Sequence, residues 1–336
     1  MVEIALDTLG AVFFLEATET TFMTTAVRSY TSSAGFTDDF HRVRDFLVRI
    51  NQDEITKSGF LWGRWEWMFS QPWYCDTSAL SRIGIWEEGG EIVAVVTYEA
   101  ETGFAWFLTD RGHAFLHQDM LRYALDNMTR NGTIRVLIED ADDDLPRIAA
   151  AHGLIPTRDK QPNSALDLTG DLSYRLPDGY RITSLADDCD LHRLNRVLHR
   201  GFNNPGDVPA TLEAIQERRT SVSGPHLNRD LNITVVAPDG EYAAYCGIWY
   251  DPATDYAYVE PVCTDPDHRR RGLGRAAVLE AARRCGQLGA KVAYVSSDQQ
   301  FYYSIGFVPH SSGTWWEALT QDPVNQARPV GTEQQI

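Results

Sequence analysis

Long apolar runs are missing from this chain of 336 residues: no stretch approaches the roughly 18 uninterrupted apolar residues of a helical membrane span. Lysine is nearly missing too, standing only at Lys57, Lys160 and Lys291. Arginine supplies the rest of the 30 basic residues against 47 acidic ones. The resulting net charge of −17 repels a phosphate backbone over most of the surface, which argues against a nucleic-acid partner. Cysteine is scarce and scattered, at Cys75, Cys189, Cys246, Cys263 and Cys285, with no CxxC or Cys/His ligand spacing. That pattern indicates neither a disulfide framework nor a structural zinc site and fits a reducing compartment. The first residues, Met1 to Asp7, carry no positive charge, and Glu16 and Glu19 follow the short apolar piece Gly10 to Leu15, unlike a secretory signal. A soluble, cytoplasmic protein without a membrane partner is expected. What is present is 43% hydrophobic and 11% aromatic residues, enough to fill the cores of about two domains.

Periodicity gives those domains an order. Phe36, Phe40, Val43, Phe46, Leu47 and Ile50 fall at helical spacing, and Arg82–Glu87 and Glu91–Ala100 form a hairpin through a Gly89-Gly90 turn. A helix over about 114–127, a strand over Thr133–Ile138 and a helix from Leu145 that stops at Gly153 follow. The second half repeats this order, with a strand at Tyr180–Thr183, a helix through Leu191 and Leu198, and strands at Ile233–Ala237, Tyr242–Tyr250 and Tyr256–Thr264. A helix from Gly272 to about Leu288, a strand at Lys291–Val295 and a short helix ending at Gly306 complete it. Pro, Asn, Gly and Asp accumulate over Pro162 to Asp178, which reads as the joint. The expected division is an extension over 1–22, a first domain over 23–165, a second over 175–320 and a tail over 321–336.

The chemistry concentrates in Val259 to Arg275. A strand ends in Asp265-Pro266, the basic turn Asp267-His268-Arg269-Arg270-Arg271 follows, and Gly272-Leu273-Gly274-Arg275 opens a helix. Backbone N–H groups and a helix N-terminus then face outward beside arginines, which is an anion cradle. Glycine at 272 and 274 is expected to let a phosphate approach the amides that a Cβ would block. A P-loop Lys-Ser/Thr does not follow the glycines, so a nucleotide site is not indicated.

Arg269, Gly272 and Gly274 match the Arg/Gln-x-x-Gly-x-Gly/Ala loop of the GCN5-related N-acetyltransferase (GNAT) family, which this segment resembles. Phe301-Tyr302-Tyr303-Ser304-Ile305-Gly306-Phe307 looks like the family's Tyr-x-x-x-Gly-Phe segment, in register behind an intervening strand. The whole chain resembles a tandem acetyltransferase with a degenerate first copy: Thr109-Asp110-Arg111-Gly112-His113 lacks the second glycine and the arginine cluster, while His152-Gly153-Leu154 echoes the closing Gly-Phe. The resemblance implies an α/β fold of two mixed-sheet domains and acetyl-CoA as co-substrate, with a primary amine of a small molecule or peptide as acceptor. It implies Glu260 as the base acting through water, Tyr302 as the acid that protonates the leaving thiolate, and amides of Val262, Cys263 and Thr264 at the oxyanion. Arg269, Arg270, Arg271, Gly272, Leu273, Gly274 and Arg275 would hold the diphosphate. The family often carries Asn in the loop before the last helix, and Ser296-Ser297-Asp298-Gln299 stands there instead. A non-catalytic acyl-CoA sensor of the same fold is the alternative.

Other conspicuous residues have plainer expectations. Cys263 is read as a buried packing thiol. Trp62, Trp65, Trp67 and Trp73 are read as core or a domain interface, with an acceptor-pocket wall as the second option. Asp140 to Asp144 is read as a helix-capping run, and His192 and His199 share a helix face without a third ligand.

Overall fold

The two halves build the same series of elements. The computed structural model describes residues 25–52 and 59–318, so the expected extension over 1–22 and tail over 321–336 lie outside the described residues. The first half is β1 (Ala26–Ser29), α1 (Asp38–Ile50), α2 (Trp62–Ser70), β2 (Gly84–Glu88), β3 (Glu91–Thr97), β4 (Phe104–Thr109), α3 (His117–Asn127), β5 (Arg135–Glu139), α4 (Leu145–Ala151) and β6 (Leu154–Asp167). The second is β7 (Arg181–Ser184), α5 (Leu191–Gly201), α6 (Leu212–Ser221), β8 (Ile233–Val236), β9 (Tyr242–Tyr250), β10 (Tyr256–Thr264), α7 (Leu273–Leu288), β11 (Val292–Val295), α8 (Gln300–Ser304) and β12 (Val308–Ala318). Periodicity anticipated much of this order. It did not anticipate α2, β4, β6, α6 or β12.

All twelve strands form one sheet, in the order β1-β2-β3-β4-β5-β12-β6-β11-β10-β9-β8-β7. Exchanging each strand with its counterpart six places on reproduces the same order read backwards, so the halves are related by a pseudo-twofold at the β12–β6 pair. The last strands are exchanged between the halves: β12 pairs antiparallel with β5, β6 pairs antiparallel with β11, and the two pair with each other. Turn-forming Pro162 and Asn163, read as part of a joint, lie inside β6, opposite Ser312 and Ser311 of β12. Residue 165, the expected end of the first half, also lies in β6, where Ala165 faces Tyr294 of β11.

Each half contains one parallel pair that soon diverges. Phe104, Ala105 and Trp106 pair with Arg135, Val136 and Leu137, and in the second half Tyr256, Ala257 and Tyr258 pair with Val292, Ala293 and Tyr294. Beyond these triplets β10 remains bound to β9 alone. Its free edge from Val259 onward opens a cleft against β11, and β9, buried along its whole length, forms the rigid floor beside it.

Candidate active site

Two left-handed residues shape the turn at the end of β10. Arg270 has φ 61° and Gly272 φ 77°, a region in which a Cβ crowds the backbone and which glycine adopts freely. Gly272 is the N-cap of α7 and offers no side chain to the first-turn amides, so the N–H groups at the start of the helix are left for an anion. Arg270, Arg271 and Arg275 are exposed around it. The Arg271 guanidinium reaches the Tyr180 hydroxyl at 3.3 Å, and Arg275 donates to the Ser304 carbonyl at 3.3 Å.

Of the other three cradle residues, Leu273 is buried in the core, and Gly274 and Arg269 serve differently from the sequence expectation. A Cβ on Gly274 would stand 2.9 Å from Thr264 Oγ1 and 3.4 Å from the Phe301 ring. This glycine faces inward, and its smallness lets α7 pack against β10 and α8 rather than admitting a phosphate. Arg269 donates through Nε to the Thr264 carbonyl at 3.1 Å and through Nη2 to the Gly201 carbonyl at 2.8 Å and Asn203 Oδ1 at 2.9 Å. Its guanidinium ties the turn to the end of α5.

A second tie was not legible. Asp265, whose side chain is fully buried, accepts from Arg200 Nε at 2.8 Å, Arg196 Nη1 at 3.1 Å and the Asp267 N–H at 3.0 Å. Arg196 and Arg200 lie one helical turn apart on α5 and grip the same carboxylate. Burial pushes the Asp265 carboxyl up, but Arg200 and the Asp267 amide outweigh it and hold its pKa below the usual carboxylate value. A lowered carboxylate pKa adds stability above the unfolded value, near 3.9, that is lost as pH falls towards the folded value. Asp265→Asn is therefore expected to cost about 1–3 kcal/mol at pH 7. In urea titrations the gap from the wild type should close as the pH drops below about 4.

Upstream of the turn, β10 carries a bulge between Val259 and Val262, where the Glu260-Pro261 bond is cis. The extra residue restores the facing: Val259 and Val262 both enter the core under α7, while Tyr258 meets α2 and Cys263 meets α5. The Asp265 N–H bonds to the Ala243 carbonyl on the β9 side. Strand alternation therefore turns the Cys263 amide to β9 and the Val262 and Thr264 amides to the open cleft. Cys263 itself is fully buried, its thiol lies 3.4 Å from the Val197 carbonyl, and burial pushes its pKa up to about 12. It is a packing residue.

Tyr302, on α8 across the cleft, is 2% exposed and packs edge-on against Phe301 and Phe307 with ring centres 5.0 and 5.3 Å away. Burial and the charge of Glu260 push its pKa well above that of a free phenol, so it stays protonated at neutral pH. The folded chain thus brings Glu260 and Tyr302 into one electrostatic neighbourhood.

The first half contributes to the same place. Gly63 of α2 lies against the second half: a Cβ there would fall 2.7 Å from Trp249 Cβ and 3.2 Å from the Tyr258 ring. Beside it Arg64 forks Glu99 at 2.7 and 2.6 Å, with both side chains largely buried. Tyr74 lies within the electrostatic reach of Glu99, Arg64, Glu260 and Tyr258. Trp62 meets Trp249 edge-on at 6.2 Å and Trp65 is fully buried, so these tryptophans form core and inter-half contact. Trp73 is 52% exposed. Asn163 of β6 accepts from Ser296 Oγ at 2.9 Å, which places an asparagine from the first half beside the loop where the family pattern lacks one. The signal for this interface was Gly63, the one small residue in Trp62-Gly63-Arg64-Trp65.

At the corresponding turn of the first half, Asp110 accepts from Arg49 at 3.1 Å, and a 3₁₀ turn over Arg111–Leu116 replaces a glycine-capped helix start. A cavity of about 230 Å³ opens there, lined by Ile50, Phe60, Phe107, Thr109 and Ala114 among others. Elsewhere, Asp142 accepts from the Asp144 and Leu145 amides at the start of α4, and Asp140 takes Lys160. Among the described residues no group of three or more His, Cys, Asp or Glu could hold a metal ion, and no helix is long and apolar enough to cross a membrane.

Comparisons with known proteins bear on the fold. Residues 197–307 match the model of the acetyltransferase (GNAT) family. Among solved structures, a GCN5-related N-acetyltransferase from Sphaerobacter thermophilus superposes with a TM-score of 0.54 at 14% identity, covering 87% of this chain and 95% of that one. A tandem GNAT protein from the clavulanic acid biosynthesis pathway, solved without acetyl-CoA, gives 0.57 at 14% identity, over 88% of this chain and 98% of that one. Such identities establish the tandem fold alone. No curated protein sequence matches the chain.

Proposed function

Since residues 197–307 form a GNAT-family acetyltransferase domain, we propose that the chain transfers the acetyl group of acetyl-CoA to a primary amine by direct attack in a ternary complex. The observation that carries this reading is the open edge of β10 past its short pairing with β11, which leads to the arginine-ringed N-terminus of α7 and has Glu260 within electrostatic reach of the buried Tyr302.

The diphosphate fits the cradle because the left-handed Arg270 and Gly272 turn the first-turn amides outward and Arg270, Arg271 and Arg275 surround them. Backbone amides of Leu273, Gly274 and Arg275 are the contacts there, while Arg269 acts from behind by fixing the turn to α5. Bound acetyl-CoA supplies an activated thioester in the cleft. Glu260 takes the amine proton through water, the Val262 and Thr264 amides on the open edge stabilise negative charge on the carbonyl oxygen, and Tyr302 gives its proton to the departing sulfur. The chain's largest contribution is to hold amine and carbonyl together in a cleft walled by both halves.

Gly272→Val tests the cradle. The substitution crowds a left-handed position where a Cβ meets no neighbour within 4 Å, so the turn is disturbed while the fold remains. Calorimetry is expected to show one CoA per chain in the wild type and an affinity about 10–100-fold weaker in the variant. Unchanged affinity would remove the cradle, and two equivalent sites would assign a cofactor role to the first-half cavity as well.

A further inference from the structure

Most half-buried arginines near the second-half site sit on an aspartate: Arg193 on Asp188, and Arg196 and Arg200 on Asp265. Arg218 of α6 does not. Its Nε and Nη2 lie 3.3 Å from Asn195 Oδ1 and its Nη1 3.3 Å from Ser221 Oγ, all neutral acceptors at long range. No carboxylate among the described residues lies within ion-pairing distance of it. Burial pushes its pKa down, and the neighbouring Glu217 is the one carboxylate that counters this. Its guanidinium carbon stands 5.2 Å from the centre of the Trp73 ring, which is among the few large aromatics left open to solvent.

The position of this cation matters more than its isolation. Arg218 is bound to Asn195 of α5, the helix whose Val197 carbonyl lies 3.4 Å from the Cys263 thiol, and Cys263 pairs with Tyr245 across β10 and β9. Glu260 lies three residues back along β10, within the bulge between Val259 and Val262. The segment that carries Trp73 continues into Tyr74, which lies within the charge field of Glu260. Trp73 and Tyr74 follow α2, which packs against both α6 and β10, so Arg218 and the strand that carries the proposed base share one face of the sheet.

We infer that Arg218, beside Trp73, binds a carboxylate carried by the acceptor, so that the acceptor is an amino acid or short peptide that presents its amine and its carboxylate on one small molecule. A planar guanidinium with loosely held neutral partners exchanges them for a bidentate carboxylate, and stacking beside the Trp73 ring holds the guanidinium plane in place. This assignment rests on the reading of Glu260 as the base at the transfer site.

The test uses ω-amino acids from β-alanine to 6-aminohexanoate and glycyl dipeptides, each against its own carboxamide, with thiol release from acetyl-CoA as the readout. The wild type is expected to favour the acid of at least one pair in kcat/KM by about 10–100-fold. Arg218→Gln should abolish the preference mainly through KM, Arg218→Lys should restore part of it, and CoA affinity should stay unchanged in both. Equal rates with acid and amide, equal loss of both in Arg218→Gln, or no turnover of any acid by a chain that binds CoA would overturn the assignment of Arg218. Failure to bind CoA would overturn the transferase reading itself, and this inference with it.

Discussion

Glu260→Gln is expected to lower kcat by about 10²–10⁴ while leaving the affinity for CoA within a few-fold of the wild type. The amide keeps the size of the side chain and the β10 bulge, so binding of CoA at the α7 cradle persists. What is lost is a proton acceptor within reach of the cleft, and the acidic limb of the pH–rate profile should flatten with it. Tyr302→Phe is the companion experiment. The ring still fills its place between Phe301 and Phe307, so a fall in kcat of similar size without a change in CoA affinity would identify a lost proton donor. Because burial and Glu260 hold the Tyr302 hydroxyl protonated well past the range of a free phenol, the wild-type rate should not decline where ordinary tyrosines ionise. A decline near pH 10 would assign the acid elsewhere.

A chain ending at Phe307 is expected to lose its native structure in both halves, not only in the one it shortens. The missing β12 lies between β5 and β6 and supplies ladder partners to each. It also carries Trp315, which stands 5.0 Å from Trp106 and 5.4 Å from Phe104 of the first half. Each ladder hydrogen bond contributes about 0.5–1.5 kcal/mol net, so the loss of two ladders together with the Trp315 contacts rivals the roughly 5–15 kcal/mol that holds a typical fold. Circular dichroism and thermal unfolding would show it. A cooperative transition retained near the wild-type temperature would mean that β12 is dispensable.

The sequence was most informative where one half could be read by itself. Gly272, the arginines around it and the Tyr302 segment all belong to local patterns, and so do the apolar runs that became β9 and β10. What escaped it depends on contact between the halves. Pro162 and Asn163 have the composition of a joint, yet they lie in a strand because β12 covers one edge of β6 and β11 the other. Helix α2 has little amphipathic pattern because Trp62 and Gly63 face the second half while Trp65 faces its own. The grip of Arg196 and Arg200 on Asp265 joins residues more than 60 positions apart, and no spacing rule reports such a triad. At Gly274 the motif suggests room for a phosphate, whereas a Cβ there would meet Thr264 and the Phe301 ring.

The exchanged strands also set a timetable for synthesis. The first half leaves the ribosome with β6 made and β12 still about 140 residues away, so its sheet ends at β5 with an open edge. At about 5–20 residues per second that edge stays exposed for roughly 8–30 s. β6 must wait as well, because both of its neighbours, β11 and β12, are translated later. Folding of this chain is therefore completed by its last strand, and the nascent first half spends that interval as a partly closed sheet open to pairing with another copy.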